Sequence, residues 1–345
     1  MVILHQNKTK NKKTSQKKTI LQKGELEKMG KESQNCVIQP KSVDQMLLEF
    51  QGKKWCDNSS LLRFTGVADG KDVYNITAPF ESEGRKYIAG RVEARDSESS
   101  EIIFFQQEKD QWVARKEISP LQLQDPFVTR IDGKLIIGGV ETFQDEENPG
   151  SLNYRTVFYQ GKSVRDLERF AHGPDRMKDI RLCQLPDQRI LVMTRPQGVV
   201  GGRGKIAFIL IDTLAQLHIE SIEKASVLEG QFLDEEWGGC NELHLLKNGK
   251  IGVLAHIAKY DEAGNRHYYA TAFCFDAASG AYTPMKIIAV RDNFQEGPSK
   301  REDLKDVIFS GGLIRRDGMA ELYCGVSDVQ GHRITICDPF VSFEH

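Results

Sequence analysis

Five stretches of this chain share one layout: a short β-rich run, a tight turn, and a second β-rich run. They are YNITAPFESEGRKYIAGRVEAR, turning at Glu83-Gly84; QDPFVTRIDGKLIIGGVETF, at Asp132-Gly133; KDIRLCQLPDQRILVMTRPQG, near Asp187; CNELHLLKNGKIGVLAHIAKY, at Asn248-Gly249; and SGGLIRRDGMAELYCGVSD, at Asp317-Gly318. Asn-Gly and Asp-Gly suit tight hairpins because the central residues of such a turn need positive φ. The turns are about 48, 55, 61 and 69 residues apart, well beyond the roughly 8–12 residues of sandwich strands and close to the blade length of a propeller. The expected fold is therefore all-β, a five-bladed β-propeller, with a large irregular sandwich or two β domains as the alternative. SVDQMLLEFQ, Ser42 to Gln51, has a serine cap and helical apolar spacing, so one short helix is expected before the first blade.

Composition narrows the class. The chain has 345 residues, 39% hydrophobic and 28% charged, with a net charge of -2. That supports a large core and argues against a nucleic-acid partner, which usually calls for a basic surplus. No apolar run reaches membrane-helix length, so no membrane partner is expected. The seven cysteines form no CxxC pair and several lie in apolar strand-like runs, which fits free thiols in a reducing, cytoplasmic setting. The lysine-rich opening has few apolar residues and no h-region of a signal peptide. Residues 1–36 are expected to be a disordered tail and 37–345 a single propeller domain. Met29 offers an alternative start.

Each hairpin carries a polar residue about seven to nine positions before its turn: Asn75, Asp125, Asp179, Asn241 and Ser310. About as far after it come Arg91 and Glu93, Glu141, Arg195 and His256, with Asp328 slightly later in the last copy. Residues equally distant from a turn are cross-strand neighbours. Both sets therefore gather at the open ends of the hairpins and would ring one mouth of the axial channel. Convergent carboxylates, amides and arginines there can hold a polyhydroxylated ligand, and a carboxyl can act as general acid or base. A non-catalytic sugar-binding ring would look the same.

The segment RPQGVVGGRGKI, Arg195 to Ile206, has the look of a phosphate loop. It is not a nucleotide P-loop, which needs G-x-x-x-x-G-K-[ST]: Val199 stands at the first glycine and Ile206 at the metal-binding hydroxyl. A mobile glycine-rich loop with solubilising charges is the bland alternative. No metal site is expected, since His244, His256 and His267 lack the spacing of a zinc motif. No G-x-S-x-G nucleophile elbow is present either.

QDPFVTRIDGKLII resembles the Glu-Asp-Pro-Arg hairpin of the five-bladed mannoside phosphorylases of glycoside hydrolase family 130, and DVIFSGGLIRRDGMAELYCGVSD resembles that family's closing blade. The ordered run from GKDVYNITAPF through GRVEARDSE, MKDIRL, TRPQG, GGRGKI, EWGGCNELH and HIAKYD…RHYYA, about residues 60 to 340, is similar to a bacterial family related to the mannosyltransferase-phosphorylases of glycosyltransferase family 108. The resemblance implies inverting phosphorolysis of β-mannosides, especially β-1,2-linked ones, with release of α-mannose 1-phosphate, or the reverse synthesis. It implies no cofactor, inorganic phosphate as co-substrate, and a mannoside oligosaccharide as partner. The aspartate of its DP hairpin, the general acid, falls on Asp125, although Phe127 replaces the usual arginine.

A phosphate dianion attacking the anomeric carbon needs fixed cations, and arginine's fork matches its oxygens. Under the resemblance, Arg195, Lys205 and His256 are the first candidates for that role, followed by Lys178, Arg181, Arg203, Tyr260 and His267. Mannose hydroxyls would fall to Asn75, Arg91, Glu93, Asp179, Asn241, Glu242 and Asp328. Trp237 can stack on a sugar face or fill the core between blades. An inverting hydrolase on the same fold needs a base as well as an acid, for which Glu141 and Glu242 are candidates. A sugar-binding propeller without catalysis is the third reading.

Overall fold

The computed structural model describes residues 39–51, 59–146 and 148–344. The expected tail, residues 1–36, lies outside them, as do Cys36 and Cys56.

Helix α1 (Val43–Gln51) begins where the sequence places its cap. Gln45 N–H donates to Ser42 Oγ at 3.2 Å, and Ser42 N–H donates back to Gln45 Oε1 at 3.1 Å. This is a reciprocal capping box. Val43, Met46 and Phe50 are buried at helical spacing.

Apart from single helical turns such as Gly198–Gly201 and Ile219–Ile222, the remaining regular structure is β, in chain order β1 (Ser60–Leu61), β2 (Phe64–Thr65), β3 (Lys71–Tyr74), β4 (Phe80–Ser82), β5 (Arg85–Ala94), β6 (Glu101–Glu108) and β7 (Gln111–Ala114). Then follow β8 (Gln124–Ile131), β9 (Lys134–Gln144), β10 (Leu152–Gly161) and β11 (Glu168–His172). A third run holds β12 (Arg181–Gln184), β13 (Ile190–Thr194), β14 (Ala207–Ile211) and β15 (Ser226–Val227). The last two runs are β16 (Trp237–Leu245), β17 (Ile251–Tyr260), β18 (Arg266–Phe275) and β19 (Lys286–Ala289), then β20 (Asp306–Arg316), β21 (Met319–Val326) and β22 (Gln330–Cys337). Antiparallel pairing gives five meanders: β3-β5-β6-β7, β8 to β11, β12 to β15, β16 to β19 and β20 to β22; β4 pairs beside them with β5, and β2 pairs parallel with β7. Strand β1 completes the fifth by pairing antiparallel with β22, so the start of the described β-structure lies on its last meander.

All five expected hairpins form, as β4-β5, β8-β9, β12-β13, β16-β17 and β20-β21. Three of their turns have positive φ at both central residues: Glu83 and Gly84 (52° and 69°), Asp132 and Gly133 (50° and 74°), and Asp317 and Gly318 (52° and 77°). The hairpin read as YNITAPF…VEAR differs in one respect. Only Phe80–Ser82 pairs beside its turn, and β3 pairs separately with the far end of β5.

Strand patterning follows from burial on both faces. In β13, Ile190 and Val192 pack toward the second meander while Leu191 and Met193 pack toward the fourth. The apolar core is divided accordingly. One cluster lies between each pair of consecutive meanders, and another joins Val73, Ile88 and Phe105 of the first to Tyr323 of the fifth.

Candidate active site

The polar residues expected at the hairpin ends occupy equivalent corners. Asn75 (φ 44°), Asp125 (φ 49°) and Asp179 (φ 61°) adopt left-handed backbone. Asp125 lies in a register shift of β8 between Gln124 and Phe127. Asn241 and Ser310 sit at corresponding shifts in β16 and β20. Such bulges re-aim a side chain out of the ladder. All five residues are buried.

Two adjoining cavities open among them. One, of about 180 Å³, is lined by Asn75, Arg91, Asp125, Asp179, His256 and Asp328, with Arg266, Arg301, Leu304 and Phe309 around them. The other, of about 420 Å³, is lined by Tyr154, Arg195, Gln197, Arg203, Trp237 and Tyr260. Gln124, Lys178 and Tyr268 line both. The first holds three carboxyls; the second has three cationic side chains, Lys178, Arg195 and Arg203, and no carboxyl.

In the carboxyl cavity, Asp125 Oδ1 accepts hydrogen bonds from Asn75 Nδ2 at 2.7 Å and Arg91 Nη1 at 3.1 Å. Arg91 is held from behind by Glu93 at 2.9 Å and Ser100 at 2.9 Å. Glu93 also takes hydrogen bonds from Tyr74, Ser100 and Lys300. It is 1% exposed and lines neither cavity, so it orients Arg91 rather than reaching a ligand. Burial alone would raise the Glu93 carboxyl, but Arg91 and its three donors bring it below the ordinary glutamate value.

Asp179 faces two guanidiniums and an imidazole: Arg195 Nη1 at 3.5 Å, Arg181 Nη2 at 3.9 Å and His256 Nε2 at 3.9 Å. Burial works to raise its carboxyl; Arg195 and the neighbouring cations outweigh it and hold it low. His256 moves the other way. Burial, helped by Arg195 and Lys178, lowers it to about 3, so the imidazole is neutral. Its Nδ1 is 2.8 Å from Asn241 Oδ1 and donates there, which leaves the Nε2 lone pair free.

Two cations are available to a ligand. Lys178 makes no hydrogen bond or ion pair within 4 Å among the described residues, and Asp179 and Tyr268 keep its ammonium charged against burial. Arg195 Nη1 is buried without a hydrogen-bond partner, while Nε donates to Gly238 O at 2.9 Å. Arg203 stands over Trp237 and Tyr260, at 5.9 and 5.7 Å from the ring centroids. Trp237 donates Nε1–H to Tyr268 Oη at 3.1 Å and packs on Tyr260, so this cluster walls the cationic cavity.

The remaining candidates lie elsewhere. Lys205, a first choice from the sequence, is partly exposed beside Glu229 at 4.0 Å and lines neither cavity. Arg181 is spent on Asn241 O at 2.7 Å and on the Phe127 ring at 4.3 Å. His267 bonds Asp306 at 2.6 Å and lines a separate groove. Glu242 accepts the Leu313 N–H at 2.7 Å and approaches His244 at 2.8 Å. Glu141 is clamped by Arg155 at 2.8 Å and Arg169 at 2.7 Å. Phe127 is buried over Gly138, where a Cβ would stand 2.2 Å from its ring. That packing explains why this position is aromatic here.

Sequence reasoning missed Gln124, Tyr154, Gln197, Arg266 and Arg301 as lining residues. Gln124 was within reach, one residue from Asp125; the others come from strand starts and connections without repeated spacing.

The pattern that defines a family described as a protein of unknown function (DUF1861) matches residues 48–342. The chain belongs to this family. Among solved structures it is similar to a mannose phosphorylase from Leishmania mexicana in complex with phosphate ion, with 36% identity, TM-score 0.80, and coverage of 88% of this chain and 95% of that one. It is also similar to a GDP-Man-dependent mannosyltransferase from the same organism, with 32% identity, TM-score 0.79, and coverage of 88% and 96%. A β-1,2-mannobiose phosphorylase from Listeria innocua shares the fold at 14% identity and TM-score 0.55, over 81% and 94%. None of the curated proteins matches the chain. The relatives that the sequence motifs point to are thus the ones whose structures it shares, and they support an enzyme acting on mannosides.

Proposed function

We propose that this protein is an inverting phosphorylase of β-mannosides, β-1,2-linked ones foremost, releasing α-mannose 1-phosphate or running in reverse. The observation that carries the reading is the pairing of the two cavities: one with carboxyls for the sugar and its leaving group, the other with cations and no carboxyl to repel a phosphate. The five meanders act as blades of a closed propeller, and their polar corners form its mouth.

In this reading Asp125 protonates the leaving oxygen, with Asn75 and Arg91 fixing one of its oxygens so that the other faces the substrate. Arg195 and Lys178 hold phosphate. The neutral His256 accepts the P–OH hydrogen of monohydrogen phosphate at Nε2. Asp179 keeps Lys178 charged and Arg195 in place. A hydrolase would need a general base for water. Its two candidates, Glu141 and Glu242, are engaged in pairs away from both cavities, which favours phosphorolysis. Among the described residues no helix is long and apolar enough to cross a membrane. Buried free thiols at Cys183, Cys240, Cys274 and Cys324 fit the proposed cytoplasmic setting.

The test is incubation with β-1,2-mannobiose with and without inorganic phosphate, assaying mannose 1-phosphate and mannose. Phosphate-dependent mannose 1-phosphate, falling by roughly 10²–10⁴ in Asp125→Asn, is the expected result. Equal free mannose in both incubations would make the protein a hydrolase. Turnover only with GDP-mannose would move it to the sugar-nucleotide transferases.

A further inference from the structure

We propose that Asp328 is a second catalytic carboxyl of this site, the one that carries the proton while the site is empty. It passes the proton to Asp125 for delivery to the leaving oxygen. The inference rests on the phosphorylase reading and adds a role to it.

The backbone gives the first reason. Asp328 lies in the turn joining β21 to β22, whose central residues, Ser327 and Asp328, both have φ 52°. The turns at Asp132 and Asp317 answer the same demand with a glycine at the second position. Here the chain tolerates two left-handed residues with side chains and pins the turn firmly. Ser327 N–H donates to Val307 O at 2.8 Å, and Lys300 N–H to Ser327 O at 3.0 Å. Ser327 Oγ donates to Lys305 O at 2.9 Å and accepts from Arg291 Nε at 3.0 Å. Strain held in place by its surroundings marks functional positions, and what this turn delivers is a carboxyl in the cavity that holds Asp125.

The second reason is the contrast between the two carboxyls. Asp125 has an amide and a guanidinium donating to one oxygen. Asp328 has no hydrogen bond or ion pair among the described residues. The charged groups facing it are Arg91 and Glu93 on β5, Asp125 on β8, and Lys300 and Arg301 on the preceding connection, with the Tyr74 hydroxyl beside Arg91. Burial pushes its carboxyl up; Arg91 and Lys300 oppose this, Asp125 and Glu93 add to it, and the net shift is upward. Two carboxyls lining one cavity resist being ionised together, and Asp328 is the one of the two with no donor among the described residues to hold its anion.

The step balances. The C1–O bond to the leaving sugar breaks and its electron pair goes to the leaving oxygen, which takes the proton Asp125 received from Asp328. A phosphate oxygen forms the new bond to C1. The proton of monohydrogen phosphate, hydrogen-bonded to His256 but not kept there, is released from the sugar phosphate product and restores the carboxyl pair.

The test uses the full chain. Infrared difference spectra are recorded during a pH titration without substrate, for wild type, Asp328→Asn and Asp125→Asn. Phosphorolysis is compared on β-1,2-mannobiose and on a dinitrophenyl β-mannoside, whose phenolate leaves unprotonated. The expected result is a protonated-carboxyl band persisting above the ordinary aspartate range in wild type and absent from Asp328→Asn. That variant should be slowed roughly hundredfold on mannobiose and far less on the aryl substrate. A band that survives in Asp328→Asn, or equal losses on the two substrates, would overturn the proposal in favour of simple sugar binding. If wild type cleaves neither mannoside, the phosphorylase reading falls, and the infrared titration still decides which carboxyl holds the proton.

Discussion

Asp125 and Asp179 are both buried aspartates with an arginine nearby, yet the structure sets them different tasks. Asp125 faces a cavity and shares its arginine with Glu93. Asp179 neutralises a cluster that contains Arg195, Arg181 and Lys178. Replacing Asp179 by Asn leaves buried cations uncompensated, which costs about 3–5 kcal/mol, whereas Asp125→Asn should leave the melting temperature nearly unchanged. Calorimetry of the two variants separates a folding role from a catalytic one. The same region governs pH dependence. His256 is lowered from 6.5 to about 3 and His332 from 6.5 to about 4, both chiefly by burial. Between those values the unfolded chain binds protons that the folded chain does not, so stability rises with pH there and falls as pH drops below 6.5. Each histidine contributes up to about 1.4 kcal/mol per pH unit in its window. His332→Asn should flatten the loss of melting temperature between pH 6.5 and 4; an unchanged slope would show that imidazole is not responsible. The sequence made Asp125, Asp179 and His256 legible because hairpin register fixes who stands opposite whom. It could not show that Lys178 has no partner among the described residues while Glu141 and Glu242 have theirs, since those partners come from other strands and connections.

The corner bulges do at the scale of the element what the aspartates do singly. Each lifts one polar side chain out of a strand that is otherwise apolar on both faces. In β16 the space beneath the corner is already full: a Cβ on Gly239 would stand 2.7 Å from Asp179 Oδ2 and 2.9 Å from Arg195 Cδ. Gly239→Ala adds no charge and removes none, but it must displace that pair. Overpacking of this kind costs about 1–3 kcal/mol. Under the phosphorylase reading the KM for phosphate should rise by at least roughly tenfold, an effect of about 1.4 kcal/mol, with a smaller change in the KM for mannoside. Equal changes in both constants would mean that the pair supports the fold and not phosphate. Turn chemistry between β-rich runs was enough to find all five hairpins, and a serine cap with helical apolar spacing was enough to find α1. The close approach of β16 to Asp179 was not readable, because the repeated glycines of EWGGCNE serve packing across meanders that sequence spacing does not order.

For the whole molecule, the decisive contact is the one between the first and last meanders. The other interfaces join neighbours in sequence, but this one needs the start of the β-structure to meet its end. Strand β1 pairs with β22 through Ser60 opposite Arg333 and Leu61 opposite His332. Leu62 continues the contact, its N–H donating to Gly331 O at 2.9 Å, and its side chain packs on the cluster that joins the two meanders. Gly331 is tight there: a Cβ would stand 2.9 Å from the Phe64 ring and 3.2 Å from Ile76 Cδ1. Proline at 62 would remove the donor and leave the carbonyl unpaired, a loss of about 1–3 kcal/mol. That corresponds to a fall in melting temperature on the order of 5 °C. Because Asn75, Arg91 and Asp328 belong to the meanders joined at this seam, the site should loosen with it. Leu62→Pro should therefore lose activity at temperatures below its own unfolding transition, while a core substitution remote from the seam, such as Leu217→Ala, should lose activity only as it unfolds. If both variants keep full activity up to their transitions, the contact between first and last meanders stabilises the fold without shaping the site.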